Sequence, residues 1–377
     1  MVNFITNNLS ISANELTLAV VIPTFNEVGN IATLVQKLEV VLSGLSWEVI
    51  FVDDDSPDGT TQQIQLLAQT HPNIRCIRRV GRRGLSSACV EGMLSTHARY
   101  IAVMDADLQH DESKLPDMLQ ALVQEGYDLS VGSRYIEGGS VGDWQADRQQ
   151  ASWVATWLSQ RVLGLSVSDP MSGFFMLKRE VLEGAVYNLS NMGFKILVDL
   201  IVSSPKPLKI IEIPFEFGQR TVGESKLDNR VAWDFLMLLV DKTVGQYVPV
   251  QLVSFGMIGG AGVCVHLVVL SIAMALFPDY FVRAQAVAVG VSMIFNYGLN
   301  NELTYRDQRL KGWAWVSGLV KFMLACSIGA AANVGVASYI YVDWGNWLWS
   351  GLTGILVGML WNYAATAIVV WPRRRRP

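Results

Sequence analysis

The sequence predicts an α/β domain with a mainly parallel, Rossmann-like sheet, followed by a four-helix transmembrane domain. Three observations carry that expectation. Short apolar runs alternate with helix-periodic segments between Leu18 and Met104. Those runs stop in acidic turns, two of which contain Pro or Gly. From Val250 onward the chain is almost free of charge.

The elements follow in order. Residues 1–17 are polar and read as a flexible N-terminus. Leu18–Ile22, stopped by Pro23, has the continuous apolar character of a strand buried on both faces. Residues 30–43 place Ile31, Leu34, Val35, Leu38, Val41 and Leu42 at helical spacing. Trp47–Val52 is the next strand, 59–70 a helix, Ile74–Ile77 a third strand, 84–97 a helix and Tyr100–Met104 a fourth strand. Such alternation implies right-handed crossovers and a parallel sheet. Ligands of these sheets sit beyond the carboxyl ends of the strands. Here those ends carry Thr24–Glu27, Asp53–Asp58 and Asp105–Gln109.

Beyond Asp128 the periodicity loosens, and the catalytic domain is expected to run over 18–229. A Gly-containing loop at 138–150 leads into a helix bearing Trp153 and Trp157. Residues 230–249, with Trp233, Phe235 and Tyr247, read as a juxtamembrane amphipathic helix. Helices of this kind pack on the sheet or lie at a membrane surface, where amphipathic aromatics are favoured. Lys195 and Asp199, spaced i and i+4, read as a salt pair within a helix.

Four apolar segments follow, roughly 250–277, 281–303, 313–342 and 346–371. Each is near or above the roughly 20 residues that cross a bilayer. Arg306, Arg309 and Lys311 stand between the second and third, and Arg373–Arg376 fill a basic tail at 372–377. The other two loops hold Asp279, Arg283 and Asp343. Positive charge thus gathers on one side, which predicts a multi-pass membrane protein with its catalytic domain and C-terminus in the cytoplasm. The N-terminus shows no signal-peptide pattern, in line with that orientation.

Composition narrows the classes. Hydrophobic residues make up 51% of the 377 and charged residues 16%, more apolar than an ordinary soluble chain. A net charge of -4 gives no reason to expect nucleic acid as a partner. Cys76, Cys89, Cys264 and Cys326 lack metal-pair spacing and read as small hydrophobes rather than a disulfide framework.

Three clusters carry chemistry. In Asp105-Ala106-Asp107, two carboxylates at i and i+2 on an extended chain share a face. They call for a hard cation, Mg²⁺ or Mn²⁺, bridging to a diphosphate, with Gln109 on the same alternation. In Asp53–Thr60, Pro57-Asp58-Gly59 is a turn and Thr60 a candidate cap for the next helix. Asp53 and Asp54 lie just past a buried strand, where a carboxylate suits a base or ribose. Pro23–Glu27 either starts a helix or sets an aromatic and a carboxylate beside the same nucleoside. Acidic nucleotide chemistry on lipid-embedded helices suggests a water-soluble donor and a lipid acceptor.

Read together, the clusters resemble the family 2 glycosyltransferases of the GT-A fold, and among them the dolichyl-phosphate mannose synthases. The likeness rests on Asp54–Thr60, Asp105–His110, Gly132–Tyr135, Asp169–Phe174 and Arg220 with Gly223–Leu227, besides Pro23–Glu27. The tail, with Phe295-Asn296-Tyr297 and Asn300 before Arg306, is similar to the GtrA-like membrane domain. The resemblance implies that Pro23, Phe25, Glu27, Val52 and Asp54 contact the guanosine of GDP-mannose. It implies that Asp105, Ala106, Asp107 and Gln109 hold the cation and donor diphosphate. Arg134, Arg220 and Lys226 would bind phosphates of donor or acceptor, and Arg148 the acceptor phosphate, with Asp107, Arg134 and Arg148 carrying catalysis. The acceptor would be dolichyl or polyprenyl phosphate. Phe25 stands where the family has Tyr, and Asp55 where it has Gly.

Two rivals stay open at this point. A UDP-glucose-dependent polyprenyl-phosphate glucosyltransferase would share sheet, cation and acceptor, although His110 and the Ser56–Thr60 turn favour the mannose branch. A processive polysaccharide synthase would need a Gln-x-x-Arg-Trp motif, which the chain does not contain. The tail is an anchor or homo-oligomer surface, or a carrier for lipid-linked sugar with Asn296, Asn300, Asn301 and Asn333 along its path.

Overall fold

The computed structural model describes residues 16–142, 146–190, 193–218, 229–344 and 346–372. The chain divides into two compact units, Met1–Thr243 and Val244–Pro377.

In the first unit, seven strands form one sheet: β1 (Leu18–Thr24), β2 (Trp47–Asp53), β3 (Ile74–Arg78), β4 (Tyr100–Val103), β5 (Leu129–Ser133), β6 (Phe175–Lys178) and β7 (Ile210–Pro214). Their spatial order is β3-β2-β1-β4-β6-β5-β7. β1 pairs in parallel with β2 and β4, and β2 with β3. Only β6 is reversed: it runs antiparallel to β4 and β5, while β7 is parallel to β5. The expected parallel half is therefore present, and a reversed strand extends it.

Eight helices cover or flank this sheet: α1 (Val28–Val41), α2 (Thr60–Ala68), α3 (Leu85–Leu94), α4 (Leu115–Gln124), α5 (Ala146–Leu163), α6 (Arg179–Ala185), α7 (Ile196–Ser203) and α8 (Asn229–Val244). Strand periodicity sends alternate residues to opposite faces. Leu18, Val20 and Ile22 of β1 join Ile31, Leu34 and Leu38 of α1 and Met118, Leu119 and Leu122 of α4. Ala19 and Val21 point the other way, to Ala88, Cys89 and Met93 of α3 and to Ile196 and Leu200 of α7. The α3 helix comes very close to the sheet at Gly92, where a Cβ would stand 2.4 Å from Val21 Cγ1 and 2.8 Å from Val52 Cγ2. Order 2-1-4 makes β1 and β4 the switch point, where loops leave toward opposite sides and open a crevice.

The α8 helix packs its Phe235, Leu238 and Leu239 against Met171 and Val198, with Leu158 and Leu163 of α5 in the same cluster. The opposite side of α5 exposes Trp153 and Trp157. Asp199 is fully buried in α7, yet it does not pair with Lys195 as expected. Lys195 is the residue before the first turn, with φ -113 and ψ 60; its carbonyl accepts the Asp199 amide at 3.2 Å, while its Nζ donates to the Met171 carbonyl at 3.5 Å. Asp199 instead takes Lys242 Nζ of α8 at 2.6 Å and the Ser190 amide at 2.9 Å.

The second unit holds α9 (Val250–Leu276), α10 (Phe281–Leu299), α11 (Trp313–Trp344) and α12 (Trp347–Val369). Among the described residues, three of them, α9, α11 and α12, are long and apolar enough to cross a membrane. Of the four spans read from the sequence, α10 falls short, because Arg283, Gln285 and Asn296 interrupt its 19 residues. Gly262 of α9 allows close approach to α10: a Cβ there would lie 2.1 Å from Asn296 Oδ1. A π-helical turn at Asn300–Thr304 follows α10. Its Asn301 accepts the Leu310 amide at 2.8 Å and the Trp371 indole N–H at 3.1 Å, a structural role for one intramembrane asparagine. Trp371 stacks on Tyr305 with centroids 4.2 Å apart and on Tyr297 at 5.5 Å. All four cysteines are free thiols.

Lys242→Met is expected to destabilise the first unit by about 3–5 kcal/mol, because it leaves Asp199 buried without its countercharge. Thermal unfolding of the detergent-solubilised chain checks this, and Lys242→Arg, which keeps the countercharge, should recover most of the loss. An unshifted midpoint in the Met variant would remove the pair from the stability of the fold.

Candidate active site

Three loops converge at the carboxyl ends of β1, β2 and β4. The first is held to the second by hydrogen bonds from backbone to side chain. The Asn26 amide donates to Ser56 Oγ at 2.9 Å, the Glu27 amide to Thr60 Oγ1 at 3.0 Å and the Val28 amide to Asp58 Oδ2 at 3.2 Å. Thr60 is thus not the cap of its own helix. It sits at the first helical position, donates to Asp58 Oδ1 at 2.6 Å and ties α2 to Glu27. Glu27 Oε2 also accepts from Asn30 at 2.8 Å.

Asp53 and Asp54, adjacent in sequence, have different duties. Asp53 is fully buried and accepts from Thr24, Thr61 and both the amide and hydroxyl of Ser56. It closes the strand ends and presents nothing to a ligand. Asp54 accepts the Gly84 amide at 2.7 Å and stands 2.9 Å from Arg79 Nη1, an ionic contact without hydrogen-bond angles. Burial pushes its carboxyl above the usual range, opposed by the Gly84 bond and the Arg79 charge. Arg79 is itself 2% exposed and donates to the Gly84 carbonyl and Ser87 hydroxyl.

The third loop departs from the extended geometry assumed for the carboxylate pair. β4 ends at Val103, and Asp105–Gln109 form a turn in which Leu108 has φ 61. The two aspartates therefore differ: the Asp105 side chain is 39% exposed, whereas Asp107 is buried and its Oδ1 accepts the Gln109 amide at 3.2 Å. Gln109 donates Nε2–H to the Gly218 carbonyl at 2.9 Å, which turns its Oε1 the other way. The Gly218 amide returns a bond to Gln109 O at 2.8 Å, so the turn is stapled to Gly218, just past β7.

His110 fixes the turn from below. Its Nδ1 accepts the Asp105 amide at 3.0 Å, which puts the ring proton on Nε2, 3.9 Å from Asp105 Oδ2. The ring stacks on Phe174 at 5.3 Å and meets the edges of Phe215 and Phe217. Burial in this aromatic nest pulls its pKa below the ordinary histidine value, against the attraction of Asp105 and Asp107. Gly173 closes the other side: a Cβ there would lie 3.2 Å from Asp105 Oδ2.

Arg134, at the end of β5, is gripped by the fully buried Asp169. Nε donates at 2.7 Å, Nη2 at 2.8 Å and the backbone amide at 3.1 Å. Asp169 is placed in turn by Glu212 of β7, which accepts its amide and that of Ser168. The guanidinium also lies 5.3 Å over Phe217.

The expected residues are thus partly united. Pro23, Phe25, Glu27 and Asp54 border the first two loops, and Asp105, Asp107 and Gln109 the third. Val52 and Ala106 have side chains inside the core, so only their main chain can serve a ligand. Arg148 belongs to α5 but its side chain lies outside the described residues, as do Arg220 and Lys226. Sequence reading missed the buried partner Arg79 and named Asp169 only within the Asp169–Phe174 motif, without a role. For Arg79 the available signal was the basic run from Arg78 to Arg83 directly past β3.

The acidic turn suits a divalent cation. Its donors are oxygens, from two carboxylates and a carboxamide, the set preferred by Mg²⁺ and Mn²⁺. Among the described residues no three His, Cys, Asp or Glu side chains gather as a self-sufficient metal nest. Two carboxylates completed by substrate phosphates is the ordinary arrangement for Mg²⁺.

The chain is similar to known proteins along both parts of its length. Residues 19–185 match the family described as Glycosyl transferase family 2, and residues 254–371 match the GtrA/DPMS transmembrane domain. A dolichol-phosphate mannosyltransferase of Pyrococcus furiosus is 33% identical over 360 residues, covering 94% of this chain and 99% of that protein. One from Saccharomyces cerevisiae is 36% identical over 246 residues, covering 63% of this chain and 91% of that protein. Among solved structures, glucosyl-3-phosphoglycerate synthase from Mycobacterium tuberculosis has a TM-score of 0.46 at 19% identity, covering 60% of this chain and 79% of that one.

His110→Phe keeps the aromatic volume and removes the acceptor of the Asp105 amide. The unfolding free energy should fall by about 1–3 kcal/mol, the cost of a buried unpaired donor. Denaturant unfolding followed by near-ultraviolet circular dichroism measures it, and a stability equal to the wild type would show that the bond is dispensable.

Proposed function

The chain belongs to the dolichol-phosphate mannosyltransferase family, and we propose that it transfers mannose from GDP-mannose to dolichyl or polyprenyl phosphate, with inversion, releasing GDP. The observation that carries this reading is the Asp105–His110 turn, held at the switch point of the sheet in a chain that continues into membrane helices. Such a chain is a membrane-bound glycosyltransferase.

The donor's guanosine lies along Pro23, Phe25, Glu27 and Asp54, with main-chain contacts from Val52 and Ala106. Asp105, Asp107 and Gln109 would hold Mg²⁺ or Mn²⁺. When bound, the cation supplies positive charge that stabilises the departing GDP. The acceptor needs no protein base: a phosphomonoester has a second pKa near 6 and is largely ionised at neutral pH. The protein's task is to bring two anions together and align them. Asp169 orients Arg134, whose Nη1 edge is turned from that carboxylate and meets a phosphate oxygen. Arg148, Arg220 and Lys226 supply further positive charge. Direct attack on the anomeric carbon gives a β-linked mannosyl phosphate.

The catalytic unit and the C-terminus face the cytoplasm in this reading, and the membrane unit anchors the chain and supports a homo-oligomer. The decisive test incubates purified protein with radiolabelled GDP-mannose and a polyprenyl phosphate, with UDP-glucose as competitor. Labelled lipid that survives excess UDP-glucose is the expected result; labelling from UDP-glucose instead would overturn the donor.

Two variants probe the turn. Asp107→Asn retains an acceptor for the Gln109 amide but loses the charge, and should lower transfer by at least about a hundred-fold. Asp107→Ala should nearly abolish it with the fold intact. Chelation should silence the wild type, and Mg²⁺ or Mn²⁺ should restore it; full turnover in chelator would remove the cation from the reading.

A further inference from the structure

Four arginines, Arg78, Arg79, Arg82 and Arg83, stand at the end of β3 and in the turn before α3. Three of them have carboxylate partners. Arg78 takes Asp55 at 2.8 Å, Arg79 takes Asp54 at 2.9 Å, and Arg82 takes Glu91 at 3.0 Å. Among the described residues no carboxylate forms an ion pair with Arg83. Its guanidinium carbon lies 4.4 Å from the centroid of the Phe25 ring instead. Arg83 is also close enough for its charge to act on Asp54. The turn that carries it is fastened, since the next residue, Gly84, gives its amide to Asp54 and its carbonyl to Arg79.

We propose that Arg83 reads the nucleobase of the donor: its guanidinium, laid on Phe25, donates a pair of N–H bonds to the O6 and N7 acceptors of guanine. This rests on the reading that Phe25 and Asp54 border the nucleoside. The chemistry is selective. A guanidinium has donors only, set in a planar fork. Guanine offers two adjacent acceptors on one edge, whereas adenine replaces O6 with an amino donor. Uracil sets an N3–H donor beside O4, so the fork again meets a donor. Stacking on an aromatic ring restricts the guanidinium to one plane before the base arrives, which suits in-plane recognition. Lysine at this position would supply charge without the fork.

The test is titration calorimetry of the full-length, detergent-solubilised protein with GDP, 7-deaza-GDP, ADP and UDP, for the wild type, Arg83→Lys and Arg83→Met. The wild type should prefer GDP and bind 7-deaza-GDP, which lacks the N7 acceptor, more weakly. Both variants should bind GDP about ten-fold more weakly, with ADP and UDP unchanged and the preference for N7 gone. An equal loss for GDP, ADP and UDP would make Arg83 a phosphate contact and overturn the proposal, as would unchanged GDP binding. Either failure leaves the guanosine reading intact if the wild type still selects GDP. A wild type that binds UDP more tightly than GDP overturns that reading, and the proposal with it.

Discussion

Carboxylates gathered at one edge of a sheet cannot be buried without local compensation, and this constraint organises the catalytic unit. The desolvation of an unpaired charge costs several kcal/mol or more. Each buried acid has accordingly acquired its own partners. Asp53 is met by hydroxyls and an amide, Asp54 by Arg79 and Gly84, Asp169 by Arg134, and Asp199 by Lys242. Those partners come from distant segments, so the compensating bonds also determine which loops meet. Asp54 draws the 79–84 turn toward the end of β2. Asp169, itself held by Glu212 of β7, places Arg134 at the end of β5. Asp105 is the exception: its carboxylate stays largely open, while its amide is tied to a neutral histidine. The site thus keeps an exposed anionic group on a backbone amide that is tied down.

The strands and helices up to Met104 were legible because continuous apolar runs can lie only in a sheet covered on both faces. The four strands begin where they were expected and their last residues shift by one or two. The acidic loops were legible as a cluster, since parallel strands deliver their carboxyl ends to one edge. What those loops do was less legible. Reading Asp105 and Asp107 as alternate residues of an extended chain failed because β4 is only four residues long and the backbone has already turned. Lys195 stands at the residue before α7 with a non-helical backbone, and the carboxylate of Asp199 is met by Lys242 from a helix some forty residues on, which spacing within one helix does not reveal. The reversed strand β6 and the pairing of β5 with β7 carry no local signal at all. They depend on contacts between segments far apart in sequence, such as Val131 with Phe175 and Glu212.

The membrane unit shows the same division. Hydropathy alone finds α9, α11 and α12, whose composition leaves little alternative to lipid. The α10 helix is harder, because Asn296 and its neighbours are polar. The structure shows one use for such groups: Gly262 lets α9 approach Asn296 closely, and Asn301 joins two chain segments through Leu310 and Trp371. An asparagine that satisfies a backbone amide and an indole together serves packing, as interhelical hydrogen bonds do in bilayers.

The two departures from the family pattern meet the same basic run. Asp55, where the family has Gly, adopts φ 58, a left-handed conformation that glycine enters without cost and aspartate tolerates better than most side chains. Its carboxylate takes Arg78, an interaction no glycine could make. Phe25, where the family has Tyr, lacks a hydroxyl but offers its ring to Arg83. Arg79 lies between them and is spent on Asp54 and Glu91. Both substitutions therefore change how the loop after β3 is held against the loops after β1 and β2. A lost hydroxyl and a lost glycine, each unfavourable alone, become intelligible as adjustments to a turn dense in arginine.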